Sequence, residues 1–290
     1  MRQPHPSDPI RRARVGMRRA AIRRQLQAVA EGKSDHIPDD ASDSAFDAAH
    51  AVEAITAGLR EDSEPIQLLQ VAFKNSRVAD NVIEQLGAKP VHERVGNARL
   101  VGALRLYEAV AWLTPLLSAR DSSVANAAAR ALGRIGGVRC AGALVAAIQR
   151  HGVSRRLVSE LARGAPDQYI ETALGEPQRP GVRPALAIAA GLRKRRTAIS
   201  PLLVLLQRGS RKERVISCRA LGWIGAGTAI PVIEEALGDR DWKIRMSAAK
   251  ALGALGARSS RRALEDLYGD RNPRVRMAAH QAVRRLGRGA

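Results

Sequence analysis

The chain has 290 residues, of which 45% are hydrophobic but only 3% aromatic, and its formal net charge at pH 7 is +20. A core built from alanine and leucine suits closely packed helices better than a β-sandwich, whose strands favour branched and aromatic residues. The charge favours an anionic partner: nucleic acid, an acidic lipid surface or an acidic protein face. No apolar run reaches the roughly 20 residues of a membrane span, and no apolar region follows the basic N-terminus as in a secretory signal.

The charge is unevenly distributed along the chain. Residues 1–31 carry a net +6, residues 32–180 a net −1 and residues 181–290 a net +15. The two cysteines, Cys140 and Cys218, have no partner nearby in sequence, which favours a reducing compartment over a disulfide framework. We therefore expect a cytoplasmic protein with two basic ends.

Residues 1–31 are predicted to form an Arg-rich N-terminal helix, because Pro9 suits a first turn and an imperfect apolar stripe follows it. Three interpretations are open. The helix packs inside or beside the following repeats, which we place first. It lies on an anionic membrane, where each basic residue is worth about 1 kcal/mol, which we place second. It binds nucleic acid. The candidate contacts for a membrane or another anion are Arg11, Arg12, Arg14, Arg18, Arg19, Arg23 and Arg24.

Residues 32–44 are polar and acidic and are predicted to be a linker. From there to the C-terminus, 45–290, we expect a single repeat array. It is degenerate over 45–119 and regular over 120–290, with a short, irregular, proline-rich unit near 164–180.

One glycine recurs at a fixed position of the repeat, with spacings of 31, 31, 27, 31 and 31 residues. These anchor glycines are Gly102, Gly133, Gly164, Gly191, Gly222 and Gly253. An apolar segment of helical period lies on either side of each, so every unit is predicted to hold two helices. Glycine within a helix is unfavourable by about 1 kcal/mol relative to alanine. Its repetition at one register indicates that two backbones approach closely there.

The predicted fold is an all-α, right-handed α-solenoid of stacked antiparallel helix pairs. One such pair cannot bury its apolar face alone, whereas stacked neighbours can. The repeat signature is an Asp-containing turn, then Val/Ile-Arg, then Ala-Leu-Gly-x-x-Gly, then Ala-Ile-Pro-x-Leu/Ile. It resembles the HEAT repeat, specifically the short type of the phycobilisome-lyase-like proteins. Because such repeats serve many roles, the resemblance implies a fold rather than a function.

A second register holds arginine. In HEAT-like repeats an arginine at this place typically pairs with the aspartate of a neighbouring turn. Asp239 and Asp270 supply such turns here, whereas Arg208 occupies the corresponding position one repeat earlier. We interpret the arginines as a structural ladder between repeats rather than as ligand-binding residues. Its members are Arg156, Arg183, Arg214, Arg245 and Arg276.

Further basic residues cluster in equivalent loops and are predicted to form one ridge. Two interpretations of this ridge stay open, a solvated edge that keeps the protein soluble and an anion-binding edge. The candidate anion or partner contacts are Arg139, Arg193, Lys194, Arg195, Arg196, Arg258, Arg261 and Arg262.

No sequence pattern for catalysis is present: HExxH, CxxC, GxSxG and P-loop motifs are all missing. A HEAT-repeat hydroxylase family binds di-iron through several His-Glu pairs, and this sequence has one, His92-Glu93. HEAT-like DNA glycosylases use tryptophans on a basic face, which draws attention to Trp112, Trp223 and Trp242, although packing explains Trp223 and Trp242 better. We expect no catalytic residue, no cofactor and no metal.

The preferred hypothesis is a non-catalytic scaffold, a monomer, that binds another, unidentified protein. The layout, notably the stretch DRDWKIRMSAAKALGALG, is similar to bacterial proteins with a membrane span, an Arg-rich juxtamembrane helix and a cytosolic HEAT array. That resemblance implies a place peripheral to the inner membrane, although the span itself is not in this sequence. The alternative is a nucleic-acid-binding HEAT protein, either glycosylase-like or sequence-independent, that uses the basic C-terminal half.

Overall fold

The computed structural model describes residues 9–38, 41–60, 62–87 and 90–287, and for 9–14 it describes the backbone alone. Within these ranges every regular element is helical. The α-helices are α1 Pro9–Ala30, α2 Ala45–Ile55, α3 Glu64–Asn75, α4 Val78–Glu84, α5 Val91–Ala103, α6 Val110–Leu116, α7 Ser122–Ile135, α8 Gly137–His151, α9 Arg155–Gly164, α10 Asp167–Gly175, α11 Val182–Leu192, α12 Ile199–Arg208, α13 Arg211–Ile224, α14 Ile230–Glu235, α15 Trp242–Leu255, α16 Arg261–Asp266 and α17 Pro273–Gly287.

The chain forms two compact units, residues 1–143 and residues 144–290. In the second unit α9, α11, α13, α15 and α17 contact one another in turn and make one layer, while α10, α12, α14 and α16 each contact the next helix of that layer. In the first unit α2, α5 and α7 make a comparable layer. The prediction of an all-α repeat of stacked helix pairs is confirmed.

The helix α1 packs against α2 and α3 of the first unit. Ile22, Leu26 and Val29 are at most 1% exposed, whereas Met17 is 64% exposed. The C-terminal part of the apolar stripe is therefore occupied by packing within the unit.

Four of the anchor glycines, Gly102, Gly191, Gly222 and Gly253, lie where neighbouring helices approach closely, as the sequence predicts. A Cβ added to Gly253 would lie 2.8 Å from the Cα of Ala282, and one added to Gly222 would lie 3.2 Å from the Cα of Ala251. Real Cβ atoms do not approach a backbone carbon at 2.8 Å. Each glycine faces an alanine two residues before the next position of the anchor register, so both partners must be small.

In four repeats the residue three positions after the anchor lies in the left-handed backbone region, just after the first helix. Glycine fills this position as Gly225, with φ 79°, and as Gly256, with φ 65°. Two other repeats place a residue with a side chain there, Arg105 and Lys194, each with φ 52°. Because a Cβ disfavours this region, these two positions carry backbone strain.

Candidate functional site

The arginine ladder is formed in the second unit by charged pairs between consecutive repeat turns. Arg245 donates from Nε to Asp270 Oδ2 at 2.7 Å and from Nη2 to Asp270 Oδ1 at 2.9 Å. Its Nη1 donates to the carbonyl of Asp239, in the preceding turn, at 2.8 Å. The side chains of Arg245 and Asp270 are 16% and 5% exposed. One guanidinium therefore fastens two successive turns, and its charge is satisfied internally.

The same arrangement recurs one repeat earlier with different partners. Arg214 lies 2.5 Å from Asp239. Arg183 donates to the Glu176 carbonyl at 2.7 and 2.9 Å and reaches Glu213 at 3.4 Å. Glu213 thus takes the place of the turn aspartate, because this repeat has Arg208 at the aspartate position. This substitution was missed because Glu213 lies in the first turn of α13 rather than in the loop.

The two remaining ladder arginines lie at the ends of the row. Arg276 donates to the Asp270 carbonyl at 2.8 Å, and Arg156 is half-buried in the first turn of α9. Asp270 serves two partners, since its Oδ1 also accepts from the Asn272 amide at 2.8 Å. The Arg245 guanidinium is the main reason that the pKa of Asp270 is lowered.

The predicted ridge residues are mostly exposed but do not make a continuous row. Arg193, Lys194 and Arg196 follow α11, and the equivalent loop two repeats later exposes a further set, Arg258, Arg261 and Arg262. The repeat between them has Gly227 and Thr228 in that loop. Arg261 lies 2.9 Å from Glu265, four residues later in the chain. Arg139 belongs to the other unit, where its guanidinium stacks 5.8 Å from the ring centre of Tyr107.

Arg195 differs from its neighbours in being only 7% exposed. Its guanidinium pairs with Asp167 and donates to the Ala162 carbonyl at 2.8 Å. The position four after the anchor is buried in other repeats too, where Ala226 and Ala257 fill it. Arg195 is therefore directed inward by its register and presents no charge to a partner.

The arginines of α1 divide into several groups. Arg19 lies 2.7 Å from Asp47, Arg24 reaches the Ala20 carbonyl at 3.5 Å, and Arg18 and Arg23 are exposed. The remaining candidates fall outside the part of the chain whose side chains are described. They are Arg11, Arg12 and Arg14.

A large excess of basic residues lies on the helices α13, α15 and α17. They contain eleven Lys and Arg residues and one acidic residue, Glu213. Ladder pairing accounts for some of these cations, and others are exposed in rows that repeat from helix to helix. We call this surface the basic face and define it by the exposed residues Lys212, Arg219, Lys243, Lys250, Arg274 and Arg285.

A groove of about 580 Å³ crosses the basic face. Arg219, Lys250 and Arg285 line it, together with the apolar side chains of Val215 and Met246. Its floor consists of small residues, which are Gly222, Ala251, Ala254, Ala278 and Ala282. Among the residues that the structure describes, no acidic one lines this groove. It was missed from the sequence because its cations are spaced one repeat apart and form no local cluster.

The tryptophans of the second unit lie beneath cations. The Arg219 guanidinium is 5.0 Å from the Trp223 ring centre, and Trp223 Cε3 would be 2.7 Å from a Cβ on Gly191. Trp242 has Lys243 at 5.6 Å and Arg274 at 5.5 Å. Such cation–π contacts hold the guanidinium and ammonium groups in place. The packing role expected for both rings is therefore the one that their contacts support.

A second groove of about 580 Å³ lies beside α1, α2 and α5 and has mixed charge. Arg19, Asp47, His92 and Glu93 are among its lining residues. His92 Nε2 lies 3.8 Å from Glu93 Oε1, and the histidine side chain is 81% exposed. Among the residues with described positions, no group of three or more His, Cys, Asp or Glu is arranged to hold a metal ion.

The two cysteines are buried and lack the environment of reactive thiols. Burial raises the pKa of Cys140 to about 11 and that of Cys218 to about 12. Since the thiolate is the nucleophile, neither side chain is activated at neutral pH.

Over the ranges that the structure covers, no helix combines the length and the apolar character needed to cross a bilayer.

Stacked helix pairs, anchor glycines and an arginine ladder define an α-solenoid repeat protein. The family model for HEAT repeats matches residues 199–284, and that for the PBS lyase HEAT-like repeat matches residues 124–150. These two stretches of the chain are therefore similar to HEAT repeats, and residues 124–150 to the PBS-lyase-like type. No curated protein sequence matches it.

Solved structures similar to the chain include human deoxyhypusine hydroxylase in complex with glycerol, with 18% identity, 93% of this chain and 98% of that chain covered, and a TM-score of 0.39. Two engineered proteins are also similar. One has 18% identity, coverage of 91% and 84%, and a TM-score of 0.36. The other has 16% identity, coverage of 92% and 98%, and a TM-score of 0.30. Likeness at this level says nothing about the function of this chain.

Proposed function

We propose that the chain is a non-catalytic protein–protein interaction scaffold that docks an acidic partner protein on the basic face. The observation that carries this proposal is the charge of α13, α15 and α17, eleven basic residues against one acidic residue. Complementary charge steers encounter and excludes wrong partners. A positively charged surface on a regular stack of helices is suited to docking an acidic partner.

The ladder explains why only part of this charge is available to a partner. Arg214 and Arg245 are neutralised by Asp239 and Asp270, whereas Arg219 and Lys250 are exposed beside the groove. The non-catalytic part of the proposal is supported by the two buried thiols with raised pKa values. It is also supported by the solvent-exposed position of His92.

The same charge could serve sequence-independent binding of nucleic acid, which is the second candidate function. Single strands bind where open aromatic rings offer stacking platforms in a basic groove. Here Arg219 lies over the Trp223 ring, which is 38% exposed, and Lys243 and Arg274 lie over the Trp242 ring, so cations occupy part of both rings. The floor of the groove is apolar as well. These features favour a protein partner, and we expect duplex DNA to bind weakly and without sequence preference.

The organisation proposed for the chain comprises the Arg-rich helix 1–31, the linker 32–44 and the repeats 45–290. The exposed arginines of α1 are a second candidate anion contact, and a peripheral place at an anionic membrane would depend on them. The burial of Ile22, Leu26 and Val29 withdraws the C-terminal part of the apolar stripe of this helix from a membrane. Sedimentation with vesicles containing phosphatidylserine should therefore recover little protein.

The proposal is tested by photocrosslinking in the native cell, with a photoreactive residue in place of Met277. This side chain is 55% exposed and lies one repeat beyond Met246 of the groove. We expect a protein adduct of acidic composition that falls at least about tenfold in the double variant Arg219→Glu, Lys250→Glu. The matched control is Arg262→Glu, an exposed charge reversal on α16, which should leave the adduct unchanged. An adduct that is nucleic acid, or one that survives the double variant, would refute the proposal.

A further inference from the structure

We propose that the groove on the basic face binds an amphipathic α-helix whose acidic residues recur every seven positions. This inference rests on the proposed function and identifies the part of the partner that the face recognises. Its basis is the geometry of two features: the pitch of the cations and the small residues of the floor.

The pitch of the cations is set by helix packing. Arg219 and Lys250 occupy the same register on α13 and α15, three residues before Gly222 and Gly253. Helices pack at interaxial distances of about 8–10 Å, and Gly222 is in close contact with Ala251 where α13 meets α15. Seven residues of an α-helix rise about 10.5 Å. Two carboxylates seven residues apart therefore reach both cations at once.

The next repeat continues the pattern with one change. Gln281 holds the register of Arg219 and Lys250 on α17, and the exposed cation, Arg285, lies four residues further along that helix. Both side chains line the groove. A third acidic residue in the heptad series, or a polar side chain beside it, meets a donor there.

The floor of the groove accepts an apolar stripe. Gly222, Ala251 and Ala282 bear at most one side-chain carbon, because the helices meet at this register. Val215 and Met246 border the floor, and methionine adapts its shape to different partners. A helix laid across such a groove buries one apolar face and keeps its polar face in water, which is a common mode of peptide recognition.

A polynucleotide would use this surface less well. Its phosphates would pair with Arg219 and Lys250, but its bases would meet mainly small residues, with Trp223 the one aromatic side chain among the described residues that line the groove. The Arg219 guanidinium lies over the Trp223 ring, and Lys243 and Arg274 lie over the Trp242 ring, so a base that stacked there would have to compete with these cations. An acidic helix satisfies both the cations and the apolar floor.

The inference is tested with the full chain and two fluorescent peptides of about 18 residues, about 27 Å long when helical. The matched peptide carries glutamates at seven-residue spacing above a leucine stripe. The shifted peptide has the same composition and the same stripe, with its glutamates at five-residue spacing. By fluorescence anisotropy we expect the matched peptide to bind at least about tenfold more tightly, since tenfold corresponds to one lost charge contact of about 1.4 kcal/mol.

Variants identify the site. Arg219→Glu and Lys250→Glu should each weaken binding of the matched peptide about tenfold, and Arg262→Glu should change it less than twofold. Unchanged thermal unfolding of each variant shows that the repeat remains folded. Equal affinity for both peptides, or binding that survives both groove variants, overturns the inference. So does tighter binding of a duplex of about 20 base pairs that the same variants abolish.

The two proposals fail separately. If both peptides bind equally while the Met277 adduct still depends on Arg219 and Lys250, the acidic-helix inference falls and the scaffold remains. If the adduct is absent or insensitive to charge reversal, the proposed function falls as well.

Discussion

Replacing Gly253 by alanine should weaken the packing of α15 against α17. The new Cβ would lie 2.8 Å from both the Cα and the Cβ of Ala282. Carbon atoms attract one another best at about 3.5–4.0 Å. One helix must therefore move by about 1 Å, since the obstructing atoms are backbone and Cβ rather than the end of a flexible side chain.

The size of the effect follows from two opposed contributions. Overpacking of a well-packed core costs about 1–3 kcal/mol. Alanine is a better helix former than glycine by about 1 kcal/mol. The net loss of stability should therefore be up to about 2 kcal/mol. The same change at Gly222, where the Cβ would be 3.2 Å from the Ala251 Cα, should cost less.

The measurement is urea unfolding followed by tryptophan fluorescence, to which Trp223 and Trp242 of the second unit contribute. Gly175→Ala is the matched control in the same unit, because a Cβ on Gly175, the last residue of α10, meets no atom within 4 Å. It should be neutral or slightly stabilising. If Gly253→Ala stabilises the protein as much as the control, or if Gly222→Ala costs more than Gly253→Ala, the close-approach explanation is refuted.

Three further outcomes are expected. Lys194→Gly should raise the free energy of unfolding by about 0.5–1 kcal/mol, and Gly225→Lys should lower it by a similar amount, because both positions have left-handed backbone angles. If urea unfolding shows that both variants change the stability in the same direction, this explanation is wrong. Asp270→Asn should lower the free energy of unfolding by about 1.5–3 kcal/mol at pH 7. Because Arg245 lowers the pKa of Asp270, this loss of stability should shrink as the pH falls below about 4, the pKa of an aspartate in the unfolded chain. A loss of stability that does not depend on pH would count against the pairing. Both cysteines should resist a thiol reagent at pH 8 until urea unfolds the chain, given the raised pKa of Cys218; labelling at the rate of a free thiol would exclude their burial.

The sequence predicts the framework of the fold well because the framework repeats. Glycine at a fixed position of a helix is costly, so its recurrence at Gly222 and Gly253 indicates contact between backbones, and the structure shows that contact. Arginine at one register, beside turns that carry Asp239 and Asp270, indicates charge pairing between repeats, and the structure shows these pairs. A feature that is unfavourable locally and still recurs must be compensated by its neighbours.

The candidate site was harder to predict because it depends on which direction each side chain takes. Arg195 looks like part of a basic loop in the sequence, yet its register directs it into the core beside Asp167. Arg219 and Lys250 lie 31 residues apart and form no cluster in the sequence, yet adjacent helices bring them to one groove. The position of each cation relative to the anchor glycine distinguishes the buried Arg195 from the groove-lining Arg219 and Lys250, whereas a run of charges in the sequence does not.

The contact between Gly222 and Ala251 also fixes a distance on the protein surface. The distance between α13 and α15 is set inside the protein, and the distance between Arg219 and Lys250 on its surface is set by the same spacing. A substitution at this buried contact can therefore change the distance between the two surface cations without altering either of them. Duplication of one repeat would add one more surface cation at the same interval. A surface of this kind can therefore lengthen to fit a longer partner while the spacing of its cations stays the same.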